Sequence, residues 1–210
     1  PDLEPPAHDP AAARALLESV GFSRDGDGPL LDPAGRPVAF SILVSAGNTT
    51  REKMAAIIQA DLAEIGIDAA ITSAESRALV ARILQQRDYD ASILGFGGTD
   101  SDPNPAIGFL ASTGPNRLWG LQSSSTEPRW QTETDRLLRE QLVALRRPDR
   151  VRIYHRVQEL VADNLPFVPV TSQHVLLGVD RRLQDVRPGV LDHHLLWNAV
   201  AISTTAEKTR

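Results

Sequence analysis

The sequence predicts an α/β fold with a βαβαβ parallel-sheet core and flanking helices. Between residues 38 and 96, three apolar segments typical of strands alternate with two segments that have the periodicity of amphipathic helices. Strands that alternate with helices in this way form a parallel sheet with right-handed crossovers. Two further helices and a short apolar strand are predicted after residue 128.

The first helix lies before this core and has clear boundaries. Asp9 is a capping residue, Pro10 lies in the first turn, and Gly21 ends the helix. The following segment, 23–37, is rich in glycine and proline, which indicates turns and a small hairpin.

The core elements follow in order. Thr49 and Glu52 have the spacing of a capping box, which predicts the start of a helix that ends at Gly66. The predicted strands are 38–44, 67–72 and 90–96, and the helix between the last two covers 79–84.

The remaining elements are predicted from the same periodicities. Helices are expected at 132–145 and from Asp149 to 161, and the next apolar segment, 167–170, predicts a strand that 175–179 continue. The last thirty residues are expected to be extended and to end in a polar tail at 203–210.

Composition excludes several classes of function. The net charge of -5 and the absence of any basic run longer than two residues argue against a nucleic-acid surface. The chain has no cysteine, so disulfides, thiolate metal sites and cysteine nucleophiles are excluded. No apolar run approaches the ~20 residues of a membrane span. Because the sequence begins at Pro1, we expect a processed or truncated product.

Two loops are the candidate ligand-binding region. If the first strand lies between the other two, the loops 45–48 and 97–102 face the same crevice, where open parallel sheets bind ligands. Gly95, Gly97 and Gly98 remove side chains at the second loop, which leaves room for a ligand or for a sharp turn. The amino end of the helix that starts at Thr49 is a natural place for a carboxylate or phosphate.

Four segments resemble a known family in combination. Residues 9–22 (DPAAARALLESVGF) resemble the DP-x-KA-x-x-LL-x-x-AGF signature of the peptide- and nickel-type extracellular solute-binding proteins, family 5 of the ABC importers. Residues 59–67 (QADLAEIGI) resemble its IQADL-x-x-IGI segment, and 87–91 (RDYDA) its DYDA strand entry. Residues 149–170 resemble its later helix and strand, so the likeness covers about residues 8 to 180.

The resemblance implies a two-lobed periplasmic-binding-protein-like clamp that closes over a ligand and delivers it to a permease. Residues 1–180 would be the C-terminal ligand-binding lobe, and 181–210 the return crossing towards the missing N-terminal lobe and a polar tail. The implied partners are a small-molecule or peptide ligand, ABC importer permease subunits and the N-terminal lobe of the same polypeptide. No catalysis, cofactor or nucleic acid is implied. The implied location is periplasmic or extracellular, with or without a lipid anchor in the full-length precursor.

The resemblance also implies ligand contacts. Peptide-binding members show Gly-Trp-x-x-Asp where this chain has Gly95-Phe96-Gly97-Gly98-Thr99-Asp100, so Phe96 replaces the tryptophan, Thr99 takes the acid's place and Asp100 comes one residue late. This departure argues against an ordinary peptide with a free amino terminus. The candidate ligand-binding residues are Ser45, Gly47, Asn48, Phe96, Gly97, Gly98, Thr99, Asp100 and Asp102.

One enzymatic alternative stays open. Asp100 and Asp102 have the spacing of an acidic metal site, as in a small α/β hydrolase or transferase, or they cap a turn before Pro103. The sequence shows no nucleophile–base pair and no set of three metal ligands, which favours the binding protein. The solute itself is left open.

Overall fold

The chain folds into two compact units, residues 2–96 and residues 97–210 with Pro1. The structure, a computed structural model, describes residues 1–96, 102–120, 126–172, 176–189 and 196–205. No helix of these described residues is long and apolar enough to cross a membrane.

A parallel sheet organises the first unit. Its strands are β1 (Ala39–Ser45), β2 (Asp68–Ala74) and β3 (Ala91–Ser92), in the order β2-β1-β3. All pairings are parallel, so the predicted α/β fold is confirmed, and β1 has the central position on which the predicted ligand site depended. The order also requires the chain to cross over β1 between β2 and β3, which creates a topological switch point beside β1.

Helices cover this sheet. Two of them contact it, α2 (Thr49–Glu64) and α3 (Ser76–Val80), which continues as a π-helical segment, Ala81–Gln86, whereas α1 (Pro10–Ser19) precedes the sheet in the chain. One apolar cluster joins α2 to the sheet through Ile42, Val44, Ala55 and Ala69. Leu43 points to the other face of β1, where α3 contacts the strand and where Leu79 and Ile83 are buried.

The third strand is shorter than the predicted 90–96. The Asp90 carboxylate accepts hydrogen bonds from the backbone nitrogen of Ser41 (2.9 Å) and from its hydroxyl (2.8 Å). The Asp90 side chain therefore pairs with the backbone N–H of Ser41, one residue before the β1–β3 ladder begins at Ile42 and Ala91. These two bonds, first the backbone one, also hold the pKa of Asp90 below its ordinary value.

The first helix forms as predicted, but its apolar stripe is not a core face. The Asp9 carboxylate accepts a hydrogen bond from the backbone nitrogen of Ala12 at 2.9 Å and so caps α1. Leu16 and Val20 are nevertheless exposed, and α1 has no buried residue. The apolar periodicity of the sequence therefore predicted the helix correctly, but it did not predict whether the apolar side chains of α1 are buried.

The second unit centres on a helix pair. Its helices are α4 (Ile107–Leu110), α5 (Arg129–Val143) and α6 (Arg147–Asn164), and a short antiparallel pair joins β4 (Leu183–Gln184) to β5 (Ser203–Thr204). The core between α5 and α6 consists of Leu137, Leu138, Ile153, Val157 and Leu160.

Two predictions for this unit need correction. Both long helices begin earlier than predicted, at Arg129 and Arg147. Residues 167–170 and 176–179 are not strands, and residue 175 lies outside the described residues. Pro166 and Pro169 lack the N–H groups that a strand ladder needs, which accounts for the first of these differences.

Candidate functional site

The candidate site lies at the edge of the sheet where β1 and β3 end. Because the two strands are parallel and paired through Ile42–Ala91 and Leu43–Ser92, their carboxyl ends lie at the same edge. The loop of residues 45–48 follows β1, and Gly95 and Phe96 follow β3. The sequence predicts a ligand crevice at this edge, and the topology is the one that this prediction requires.

Ser45 is the innermost of the predicted residues. It is buried, and its hydroxyl lies 3.1 Å from the hydroxyl of Ser76 at the start of α3. Ser45 therefore joins the end of β1 to the start of α3. Its hydroxyl already has a hydrogen-bond partner.

Gly47 and Asn48 form the turn into α2. Gly47 has φ +76°, a conformation that glycine adopts without strain, and its backbone nitrogen donates a hydrogen bond to Glu52 Oε1 at 3.0 Å. Asn48 Oδ1 accepts a hydrogen bond from the backbone nitrogen of Arg51 at 3.1 Å. The helix thus begins at Thr49 as predicted, but the capping residue is Asn48, and Glu52 reaches back to Gly47.

Arg51 is a site residue that the sequence reasoning missed. The side chain lies in the first turn of α2, and its Nη2 atom is 2.8 Å from the position that a Cβ atom on Gly95 would occupy. Phe96, the next residue after Gly95, is 62% exposed. The signal for Arg51 was a cation in the first turn of a helix, where the helix dipole disfavours positive charge.

Gly97, Gly98, Thr99 and Asp100 lie outside the described residues, so their predicted roles stay predictions. Asp102 is described, in the second unit. Its Oδ1 atom accepts hydrogen bonds from Arg150 Nη2 at 2.7 Å and from the backbone nitrogen of Asn104 at 2.9 Å.

These bonds, first the one from Arg150, hold the pKa of Asp102 below its ordinary value. Asp102 is thus an ionised anchor for the start of the segment that leads to α4. A carboxylate paired with a guanidinium is a poor metal ligand, because the cation opposes a second positive charge. Within the described ranges, no cluster of three or more His, Cys, Asp or Glu side chains is arranged to hold a metal ion.

Trp119, another aromatic residue in this part of the chain, serves packing. Its ring lies 4.9 Å from that of Phe109 in an edge-to-face contact and 5.7 Å from that of Phe167. Its indole nitrogen donates a hydrogen bond to Gln131 Oε1 at 3.3 Å. These contacts explain the position of Trp119 without a ligand.

Comparison with known proteins gives the family. The profile described as "Bacterial extracellular solute-binding proteins, family 5 Middle" matches residues 1–117. A "Probable ABC transporter-binding protein" of Deinococcus radiodurans is 25% identical over 83% of this chain and 31% of its own length. "Di/tripeptide-binding protein 3" of Pseudomonas aeruginosa is 27% identical over 85% of this chain and 31% of its own length.

Solved structures of binding proteins have a similar fold. The oligopeptide-binding protein AppA of Bacillus subtilis, in complex with a nonapeptide, superposes with a TM-score of 0.68 at 21% identity. The superposition covers 98% of this chain and 40% of AppA. The chain therefore spans less than a third of the two curated relatives and two fifths of this structural neighbour. Since the family profile matches more than half of the sequence, the chain belongs to the bacterial extracellular solute-binding proteins of family 5.

Proposed function

We propose that this chain is the C-terminal lobe of a solute-binding protein and captures a peptide-like or other small polar solute for an ABC importer. The observation that carries the proposal is the strand order, which places a topological switch point beside β1 in a chain that belongs to a solute-binding family. Parallel sheets bind ligands at this place, because loops from two neighbouring strands converge there and leave a space between them.

On the first unit, the solute would meet the loop 45–48 and Phe96. Phe96 offers an exposed ring for apolar contact or stacking. Gly47 and Asn48 form the turn after β1, and the backbone nitrogen of Asn48 donates a hydrogen bond to the carbonyl oxygen of the buried Ser45 at 3.2 Å. The remaining predicted contacts, Gly97, Gly98, Thr99, Asp100 and Asp102, stay predictions from the sequence.

In the intact protein, residues 1–180 would form one lobe of a clamp and 181–210 would return towards the N-terminal lobe. The partners would be the other lobe and the permease subunits of the importer, outside the cytoplasm. A lobe of this kind binds without catalysing a reaction. Relatives named as binding proteins for di- and tripeptides support this class of function.

Native mass spectrometry of the full-length protein, purified without refolding, tests the proposal. We expect a small polar solute to accompany the protein. Phe96→Ala should then weaken the binding of that solute, measured by calorimetry, and leave the melting temperature nearly unchanged, since the ring is exposed.

Ile57→Ala is the matched control, because Ile57 is 63% exposed on α2 and Phe96 is 62% exposed. Truncating Ile57 should change neither affinity nor melting temperature. If Phe96→Ala has no larger effect on affinity than Ile57→Ala, the crevice does not hold the solute.

A further inference from the structure

Arg51 lies across the crevice between the two site strands. Its backbone belongs to the first turn of α2, directly after the β1 loop, and its guanidinium reaches Gly95, three residues after the end of β3. A Cβ atom on residue 95 would lie 2.8 Å from Arg51 Nη2, so any side chain larger than that of glycine would displace the guanidinium. The guanidinium of Arg51 therefore lies beside Gly95, where a side chain on residue 95 would otherwise be.

This guanidinium has no partner within the part of the chain that the structure describes. Arg51 is partly buried, and apart from the backbone ladder of α2 its hydrogen bond among the described residues is the one that its backbone nitrogen donates to Asn48. The nearby acids are used as caps, since Glu52 binds the backbone nitrogen of Gly47 and Glu75 binds those of Arg77 and Ala78. The charge of Arg51 is thus available to a ligand.

The position is electrostatically costly for a cation. Partial burial removes water from the guanidinium, and the amino end of α2 carries a positive partial charge. An anion in the crevice would offset both effects. The helix end itself offers few free donors for that anion, because Asn48 takes the Arg51 N–H and Glu52 takes the Gly47 N–H. Recognition would therefore rest on the side chain.

We propose that Arg51 binds a carboxylate of the solute, which makes the solute class an organic acid or a peptide with a free carboxyl group. A guanidinium presents two parallel N–H donors that match the two oxygens of a carboxylate. Phe96, next to Gly95, would cover the apolar part of the same molecule. The inference rests on the proposed function and names the chemistry of that site.

The test uses pairs of acids and neutral analogues on the full-length protein. The probes are trialanine with trialanine amide, glutarate with glutaramide, and gluconate with glucose, each at millimolar concentration, with thermal stabilisation as the screen and calorimetry for every probe that binds. We expect at least one acid to bind more tightly than its neutral partner. Arg51→Met should weaken that acid by roughly ten- to a hundredfold, the loss typical of a charge-assisted hydrogen-bond pair, and leave the neutral partner unchanged.

Two matched controls separate recognition from general effects of charge and of backbone. Arg77→Met removes an exposed cation from the first turn of α3 and should leave acid binding unchanged. Gly95→Ala should weaken the acid, because the new methyl group displaces the guanidinium, whereas Gly178→Ala adds a methyl group with no atom within 4 Å and should have no effect.

The outcomes also separate this inference from the proposed function. If neutral probes bind as tightly as the acids, or if Arg51→Met weakens both members of a pair equally, the carboxylate assignment is wrong while solute binding stands. If no probe binds and no solute accompanies the purified protein, both the assignment and the proposed function fail.

Discussion

The two units fix their loops in different ways. At the end of β1, the loop is held by residues of its own helix, with hydrogen bonds between positions three and five apart in sequence. The segment that begins at Asp102 is held by helices far along the chain, through bonds from Gln141 to Asn104 and from Arg150 to Asp102 that span 37 and 48 residues. The conformation of the first loop is thus determined by residues close to it in sequence, whereas the conformation of the second segment depends on tertiary packing.

Buried polar side chains on α5 contribute to that packing. Gln131, Thr134 and Gln141 are almost completely buried on α5, the helix that also contributes Leu137 and Leu138 to the core. Buried amides are stabilising only when their donors and acceptors are all paired. The α5 face therefore ties a loop down at the same time as it covers the core.

The largest expected effect follows from Gln131, which is 0% exposed. Its Nε2 atom donates to the backbone oxygen of Leu110 at 2.9 Å and to Asp135 at 3.1 Å, and its Oε1 atom accepts from Trp119. Gln131→Leu keeps the size of the side chain but removes these three hydrogen bonds from a fully buried position, while Asp135 keeps its bonds from Ser112. We expect a loss of about 2–4 kcal/mol in the free energy of unfolding, measured by urea denaturation.

Gln158→Leu is the control for this substitution, because Gln158 is exposed on α6. It should change the free energy of unfolding by no more than about 0.5 kcal/mol. Equal effects of the two substitutions would show that the α5 amide does not fasten the loop.

The same contrast explains what the sequence could predict. The βαβαβ order and the bounds of α1 and α2 come from local periodicity and caps, and the bounds were predicted within one or two residues, whereas the central position of β1 was only assumed. Gln131 and Gln141 look like ordinary polar positions of a surface helix in the sequence. Their hydrogen-bond partners, Leu110 at the end of α4 and Asn104, lie 21 and 37 positions away, so no local pattern in the sequence predicts them.

The site shows the same division. Its location follows from topology alone, but the role of each residue depends on its neighbours in space. Thr49 fits the capping-box pattern as well as Asn48 fits a cap, and only the turn at Gly47 decides between them. The position of the Arg51 guanidinium depends on Gly95, which is 44 residues away in sequence and has no side chain.

A smaller effect is expected at the cap of α2. Asn48→Ala removes the acceptor for the backbone nitrogen of Arg51 and should cost about 1 kcal/mol in the free energy of unfolding. Thr49→Ala is the matched substitution one position later and should not destabilise the fold measurably, since Thr49 is the first residue of the helix and not its cap, and alanine has the higher helix propensity. Urea denaturation that ranks the two in the opposite order would restore the capping box predicted from the sequence.

The smallest effect is expected at Asp102, whose side chain is 48% exposed, so that water screens its ion pair with Arg150. The folded protein holds the pKa of this carboxyl below the ordinary 3.8, and the ionised form therefore stabilises the fold. That contribution is fully present above the unfolded value and is lost as the pH falls through the lower, folded value.

Asp102→Asn removes the titration, so its melting temperature should lie below that of the unmodified protein at neutral pH. The difference should shrink below about pH 3.8 and vanish in stronger acid. Asp32, Asp90 and Asp180, whose pKa values are also lowered, titrate in both proteins and cancel in the comparison. Arg150→Met should reproduce the loss at neutral pH, and the double variant should lose no more than either single one, because both substitutions break the same bond. A difference between Asp102→Asn and the unmodified protein that is independent of pH would mean that the Arg150 pair does not anchor this segment.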